Sequence, residues 1–79
     1  MSNAIIILPI MNKFQRETLK VRLLKLATLR STGAPADLAS RFEISERSIK
    51  RIVKELRDEG TDIRYSQVRR SYVTGGDYQ

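Results

Sequence analysis

The chain has no cysteine and no histidine, and aromatics make up only 6% of its 79 residues. Without cysteine no disulfide can form, and without cysteine and histidine the usual structural zinc site is excluded as well. Catalysis that turns on a thiolate or an imidazole is excluded with them. No run of about 20 apolar residues exists, so no membrane-spanning helix is expected. There is no glycine-rich phosphate loop, and the carboxylates are scattered among cations on polar helix faces, which suits surface ion pairs better than an acid/base couple. The reading is therefore a non-enzymatic protein with no cofactor and no metal. The lack of cysteine fits a cytoplasmic setting.

What the chain does have is positive charge: 15 Lys and Arg against 9 Asp and Glu, a formal net charge of +6. That balance favours a polyanionic partner. The length allows one small domain with a modest core. It divides into a leader (1–12), a folded unit (13–74) and a flexible tail (75–79), with no internal repeat.

The stretch from Ala34 to Gly60 organises the rest. It reads as a short helix over Pro35 to Phe42, a turn at Glu43-Ile44, and a second helix opened by Ser45 and running to about Glu59. Pro35 suits the first helical position, and Asp37 lies where the helix dipole favours a carboxylate. Ser45 is an N-cap, and Ile44 with Ile49 has the spacing of a hydrophobic staple. Ile49, Ile52, Val53 and Leu56 recur at helical spacing and predict one buried stripe. The opposite face carries Arg47, Lys50, Arg51 and Lys54. Glu46–Lys50 and Lys54–Asp58 have the spacing of stabilising surface pairs. Gly60 can take the left-handed conformation that stops the helix.

Upstream, Lys13 to about Ser31 reads as a helix, with Leu19, Leu23, Leu26 and Ala27 facing the core. Phe14, Val21 and Leu24 fall on its other side. That second apolar face is either partly exposed, covered by the leader, or a homodimer interface built with the leader. Residues 1–10 carry no charge. Ile5-Ile6-Ile7-Leu8 is a strong strand former, and Pro9 argues against a helix through it. The segment is either an uninvolved leader, with Ser2-Asn3-Ala4 resembling the scar of tag removal, or a strand or arm that packs on the domain or on a second copy. Ser31-Thr32-Gly33 reads as a loop. After Gly60 the period changes: Thr61 to Ser66 and Ser71 to Thr74 look like two short strands, with Ile63, Tyr65, Tyr72 and Val73 as packing residues. No Asn-Gly or Asp-Gly turn joins them.

This arrangement resembles the helix-turn-helix of winged-helix bacterial regulators, of the DeoR and biotin-repressor N-terminal type. The residues that carry the resemblance are Leu38-Ala39, Ile44-Ser45, Arg47, Ile49, Arg51, Ile52, Leu56 and Gly60. An upstream helix over Leu19 to Arg30 and a hairpin through Ile63-Arg64-Tyr65 and Tyr72 extend it over residues 14 to 74. The resemblance implies a mainly α fold with a small β-hairpin: a three-helix bundle plus a C-terminal wing, whose tip would hold Val68, Arg69 and Arg70. The chain departs from the pattern at Ala34, where the family has a capping threonine, and at Glu43, where it often has glycine. The family also places an effector or enzyme domain after the wing. None is read in the given sequence, which is expected to be a fragment, a small stand-alone protein, or one that senses nothing.

The implied function is sequence-specific binding of double-stranded DNA in transcriptional regulation. A helix fits the major groove, and base-reading side chains must lie on its outer face near its N-terminus, where Arg47, Ser48 and Arg51 are. Lys50 and Lys54 suit phosphates, and the backbone N–H groups beside Ser45 add a phosphate contact. On the resemblance, Arg69 and Arg70 would touch the backbone or enter the minor groove. The competing readings are a protein-interaction module built on the same fold and non-specific nucleic-acid binding.

Overall fold

The computed structural model describes residues 12–75. Three helices, α1 (Lys13–Thr28), α2 (Pro35–Phe42) and α3 (Glu46–Asp58), are followed by strands β1 (Ile63–Ser66) and β2 (Ser71–Thr74). The strands pair antiparallel with Tyr65 opposite Tyr72 and Ser66 opposite Ser71. The result is mainly helical and winged-helix-like, the architecture expected from the sequence. The expectations placed on residues 1–11 and 76–79, including a leader strand or dimer arm, lie outside the described residues.

Each helix has an identifiable start. Asn12 caps α1 through a reciprocal pair: the Gln15 N–H donates to Asn12 Oδ1 at 2.8 Å, and the Asn12 N–H donates to Gln15 Oε1 at 3.1 Å. That pair satisfies two otherwise orphaned groups. At α2 the cap is only half made. Ala34 has no side-chain acceptor, but its N–H donates to Asp37 Oδ2 at 3.1 Å. At α3 the Ser48 N–H donates to Ser45 Oγ at 3.0 Å.

All three helices stop through the same device. The residue past the end takes a left-handed backbone, and two N–H groups turn back onto the last carbonyls. For α3 the left-handed residue is Gly60, with φ of 100°. The Gly60 N–H reaches Arg57 O at 2.9 Å and the Thr61 N–H reaches Leu56 O at 2.9 Å. For α1 and α2 it is Arg30 and Glu43, with φ of 56° and 59°. A side chain in that region costs on the order of 1 kcal/mol. This corrects two boundaries. The first helix was expected to run to about Ser31, but it ends at Thr28, because the Ser31 N–H closes back on Leu26 O at 2.9 Å. The first strand begins at Ile63 rather than Thr61, whose N–H is committed to ending α3.

The core lies where the three helices and the wing converge. Leu23 and Ala27 of α1, Leu38 of α2, Ile49 of α3 and Ile63 of β1 have no solvent exposure, and Phe42, Ile52, Val53, Leu56 and Tyr72 are buried around them. Leu19, Leu26, Ile44 and Tyr65 pack against this cluster from the edge. The expected apolar stripes of α1 and α3 thus face inward. Arg22 stacks its guanidinium 4.6 Å from the Phe42 ring centre and covers that side of α2.

Two polar joints hold the elements in place, and neither was expected. The first is at Thr32, which reads in the sequence as an ordinary loop residue but is fully buried. Its Oγ1 accepts from the Tyr72 N–H at 2.8 Å and donates to Gly33 O at 2.8 Å, while its own N–H donates to Ser71 Oγ at 3.0 Å. Ser71 Oγ in turn donates to Tyr72 O at 2.7 Å. Every donor in this knot has an acceptor, so burial there is compensated. The knot fastens β2 to the loop between α1 and α2.

The second joint is Lys20, which retains only 5% of its surface. Its ammonium is bonded to Glu59, lies 3.2 Å from Glu17 and lies 3.8 Å from Glu55. Arg16 adds a contact to Glu55 at 3.6 Å. This cluster clamps α1 to the C-terminal half of α3. The Glu59 hydrogen bond raises the Lys20 pKa above its ordinary value against the opposing effect of burial, with Glu17 adding to the rise.

Candidate nucleic-acid interface

Helix α3 is held on one side only. Ile49, Ile52, Val53 and Leu56 fill the core, and the staple residue Ile44 packs beside them. At 100° per residue, the positions between these fall on the outer face. Arg47, Lys50, Arg51 and Lys54 are all exposed there. Lys54 makes an exposed pair with Asp58 at 3.1 Å. The other pair read from spacing does not form: among the described residues no ion pair joins Glu46 to Lys50, and Lys50 has no carboxylate partner.

Ser45 and Ser48 are committed to each other. Besides accepting the Ser48 N–H, Ser45 donates from its hydroxyl to Ser48 Oγ at 3.0 Å. The Ser48 hydroxyl proton is the remaining donor of that pair. The helix start is therefore a capped end beside exposed arginines.

Arg69 and Arg70 lie in the four-residue tip between the strands, where Val68 is 81% exposed. The tip turns without glycine. Arg70 supplies the left-handed residue, with φ of 52°, and the Arg69 N–H donates to Ser66 Oγ at 3.2 Å. The tip arginines do not line the same recess as α3.

The recess that does join α3 to the wing is formed by other residues. A groove of about 430 Å³ runs between them, lined by Lys50, Val53, Lys54, Arg57, Tyr65 and Tyr72. The two tyrosine rings meet edge to face, 5.2 Å apart, as their opposed register dictates. Arg57 donates from Nε to Ile63 O at 2.9 Å and so fixes the start of β1 against α3. Burial raises the Tyr72 pKa above its ordinary value, with the Arg57 charge acting against that rise. Arg57, Tyr65 and Tyr72 are absent from the set expected by sequence reasoning. Part of the signal was available: Lys50, Lys54 and Arg57 are spaced by four and three residues and so share one helix stripe. The tyrosines join it only through the way the hairpin folds back, which no local pattern records.

Elsewhere, Phe14 is 78% and Val21 66% exposed on α1, whereas Leu24 is half-buried. These are the residues read as a possible dimer face. Among the described residues no helix is long and apolar enough to cross a membrane.

No protein-family profile and no solved structure matches the chain. Two curated proteins do. The chain is 40% identical over 62 residues to a probable tellurium resistance transcriptional regulator, TerW, of Escherichia coli, and equally to that of Serratia marcescens. The match takes in 73% of this chain but only 40% of each relative, so the chain spans about two fifths of the length of the proteins it is similar to.

Proposed function

We propose that this chain binds double-stranded DNA sequence-specifically as part of a transcriptional regulator, in the manner of the DeoR and biotin-repressor type winged helices, with residues 13–74 as the binding unit. The observation that carries the reading is the division of α3. Four aliphatic side chains anchor one side, and Arg47, Lys50, Arg51 and Lys54 stand exposed on the other. The two relatives named as transcriptional regulators support the same reading. In it α3 enters the major groove, Arg47, Ser48 and Arg51 meet base edges, and Lys50 and Lys54 meet phosphates. The helix start at Ser45 and the tip arginines Arg69 and Arg70 add backbone contacts.

Selection from a random DNA pool tests the proposal. A recurrent motif is expected, with a log–log salt slope near −4.5 for about five phosphate contacts. Arg51→Ala should then lower discrimination by about 1–3 kcal/mol at one base position. Enrichment of no motif, with binding indifferent to salt, would favour a protein-interaction module instead.

The exposure of Phe14 and Val21 supports a further part of the proposal, a homodimer through α1 that would match paired half-sites. Sedimentation of the parent against Val21→Glu decides it: a parent that already sediments as a monomer removes the dimer.

A further inference from the structure

The groove between α3 and the wing combines features that the helix face alone does not. Its cations gather on one stripe: Lys50, with no carboxylate partner among the described residues, then Lys54, then Arg57. Arg57 spends its Nε on Ile63 O, and its two terminal nitrogens have no protein partner among the described residues. The opposite wall is aromatic and carries hydroxyls. Tyr72 is 95% buried by its 5% residual exposure, yet its hydroxyl makes no hydrogen bond to any described residue. A hydroxyl that lines an open recess and spends no hydrogen bond on the protein is available to a ligand there. Like any tyrosine hydroxyl it is protonated at neutral pH, and it can donate. Tyr65 stands beside it. Donors and positive charge converge there; the carboxylates near them are Asp58, exposed and paired with Lys54, and Glu46, whose charge acts on the Tyr72 hydroxyl against the pull of Arg57.

We infer that this groove is a phosphate-binding site, in which Lys50 and the terminal nitrogens of Arg57 pair with the anion while the Tyr72 and Tyr65 hydroxyls donate to its oxygens. The inference rests on the proposed DNA binding for its occupant, one phosphodiester of the duplex backbone beside the base-reading segment. The same chemistry would also take a free phosphate, and the experiment separates the two sources.

The test uses a duplex of the selected sequence in which single phosphates are replaced, one at a time, by uncharged methylphosphonate. The parent is compared with the Tyr65→Phe/Tyr72→Phe variant, which keeps both rings and removes only the hydroxyls. One position is expected at which neutralisation weakens the parent about tenfold and leaves the variant nearly unchanged, the variant having lost about tenfold already on the unmodified duplex. Its preference among sequences should stay that of the parent. Equal losses in parent and variant at every position would overturn the groove and leave DNA binding intact. Should the tyrosine variant not fold, Lys50→Gln, at an exposed position, takes its place with the same expected coupling.

A parent that binds no duplex at low salt would refute the DNA reading. Titration with inorganic phosphate, followed through the Tyr65 and Tyr72 ring resonances, then decides the groove. Movement of both rings, abolished by Lys50→Gln, keeps a free-phosphate site. No movement ends the proposal.

Discussion

Helix α3 meets the rest of the molecule along two seams, and the charges at them are arranged in opposite ways. At the seam with α1, a buried ammonium is ringed by Glu17, Glu55 and Glu59, with Arg16 outside, so positive and negative charge close on each other. At the seam with the wing, Lys50, Lys54 and Arg57 line one groove, and the carboxylate paired there is the exposed Asp58. Charge at the first seam is used up by the fold. Charge at the second is left over, and an uncompensated concentration of cations on a rigid helix attracts an anion from outside. A net charge of +6 says nothing about this division, which is a matter of which helix faces are paired.

The largest effect should come from reversing one charge at each seam. Lys20→Glu places a fourth carboxylate among three at a buried position, where an unpaired charge is most costly. We expect it to lower Tm more than any other change described here. Lys50→Glu, on an exposed face, should alter stability by no more than about 0.5 kcal/mol while weakening DNA binding and lowering its salt slope by about one. Comparable losses of Tm in the two variants would break the contrast. The pH dependence follows with the same sign at both tested groups. Lys20 is raised above its ordinary value chiefly by Glu59, so its contribution is complete below pH 10.5 and is lost as pH climbs through the higher folded value. Tyr72 is raised above 10.0 by burial, so its neutral form is favoured in the fold and high pH again destabilises. The unfolding midpoint should therefore fall in the alkaline range, and less steeply in Lys20→Met or in Tyr72→Phe than in the parent.

Next in size is the knot that sets the wing. Thr32→Val keeps the shape of the side chain but strands the buried Tyr72 N–H and removes the bond to Gly33 O. A loss of about 1–3 kcal/mol is expected from urea unfolding. Because the groove's tyrosine wall hangs on that knot, DNA affinity should fall as well. The Lys20 clamp lies at the other seam and should be unaffected, so substituting Lys20 in the Thr32→Val background should still flatten the alkaline limb as it does in the parent.

This knot also shows where sequence reasoning stops. The helices were legible because their signals are local: Ser45 before a periodic aliphatic run, Pro35 at a helix start, Gly60 past an end. The outward face of α3 followed from the same periodicity, so its exposed cations could be named in advance. Thr32 and Ser71 are 39 residues apart and meet only when the wing folds over the first loop. Lys20 gives no local signal of its burial, because its main partner, Glu59, is likewise 39 residues away. Nothing in the sequence marks Arg57 as the residue whose Nε fixes β1. The wing carried no glycine turn signal, because Arg70 takes the left-handed position at its tip. Each of these is a tertiary pairing or a strained local choice that the rest of the fold enforces.

That strain gives a smaller effect. Glu43 adopts a left-handed backbone between α2 and α3, and it lines neither the groove nor the Lys20 cluster. Glu43→Gly should relieve about 1 kcal/mol and return part of it to the greater freedom of the unfolded chain, for a net gain of about 0.5 kcal/mol. The gain should be the same when added to Lys20→Glu and to Lys50→Glu, since changes far apart add. Unequal gains would mean that the turn communicates with one seam.

The smallest change in stability bears most directly on why the second seam is open. Asp58 holds Lys54 at 3.1 Å, with both side chains largely exposed, 63% and 71%. Pairs of this kind, four residues apart on a helix surface, contribute about 0.3–0.5 kcal/mol. Asp58→Asn should cost no more than that in urea unfolding. Yet the same carboxylate repels any phosphate that approaches the groove, and it competes for Lys54. Removing it should therefore tighten DNA binding at low salt and steepen the salt slope, while leaving sequence preference alone. The two assays move in opposite directions for one substitution, which a residue serving only the fold does not do. If binding weakens together with stability, Asp58 orients Lys54 toward the phosphate, and the groove is tuned by its acid instead of limited by it.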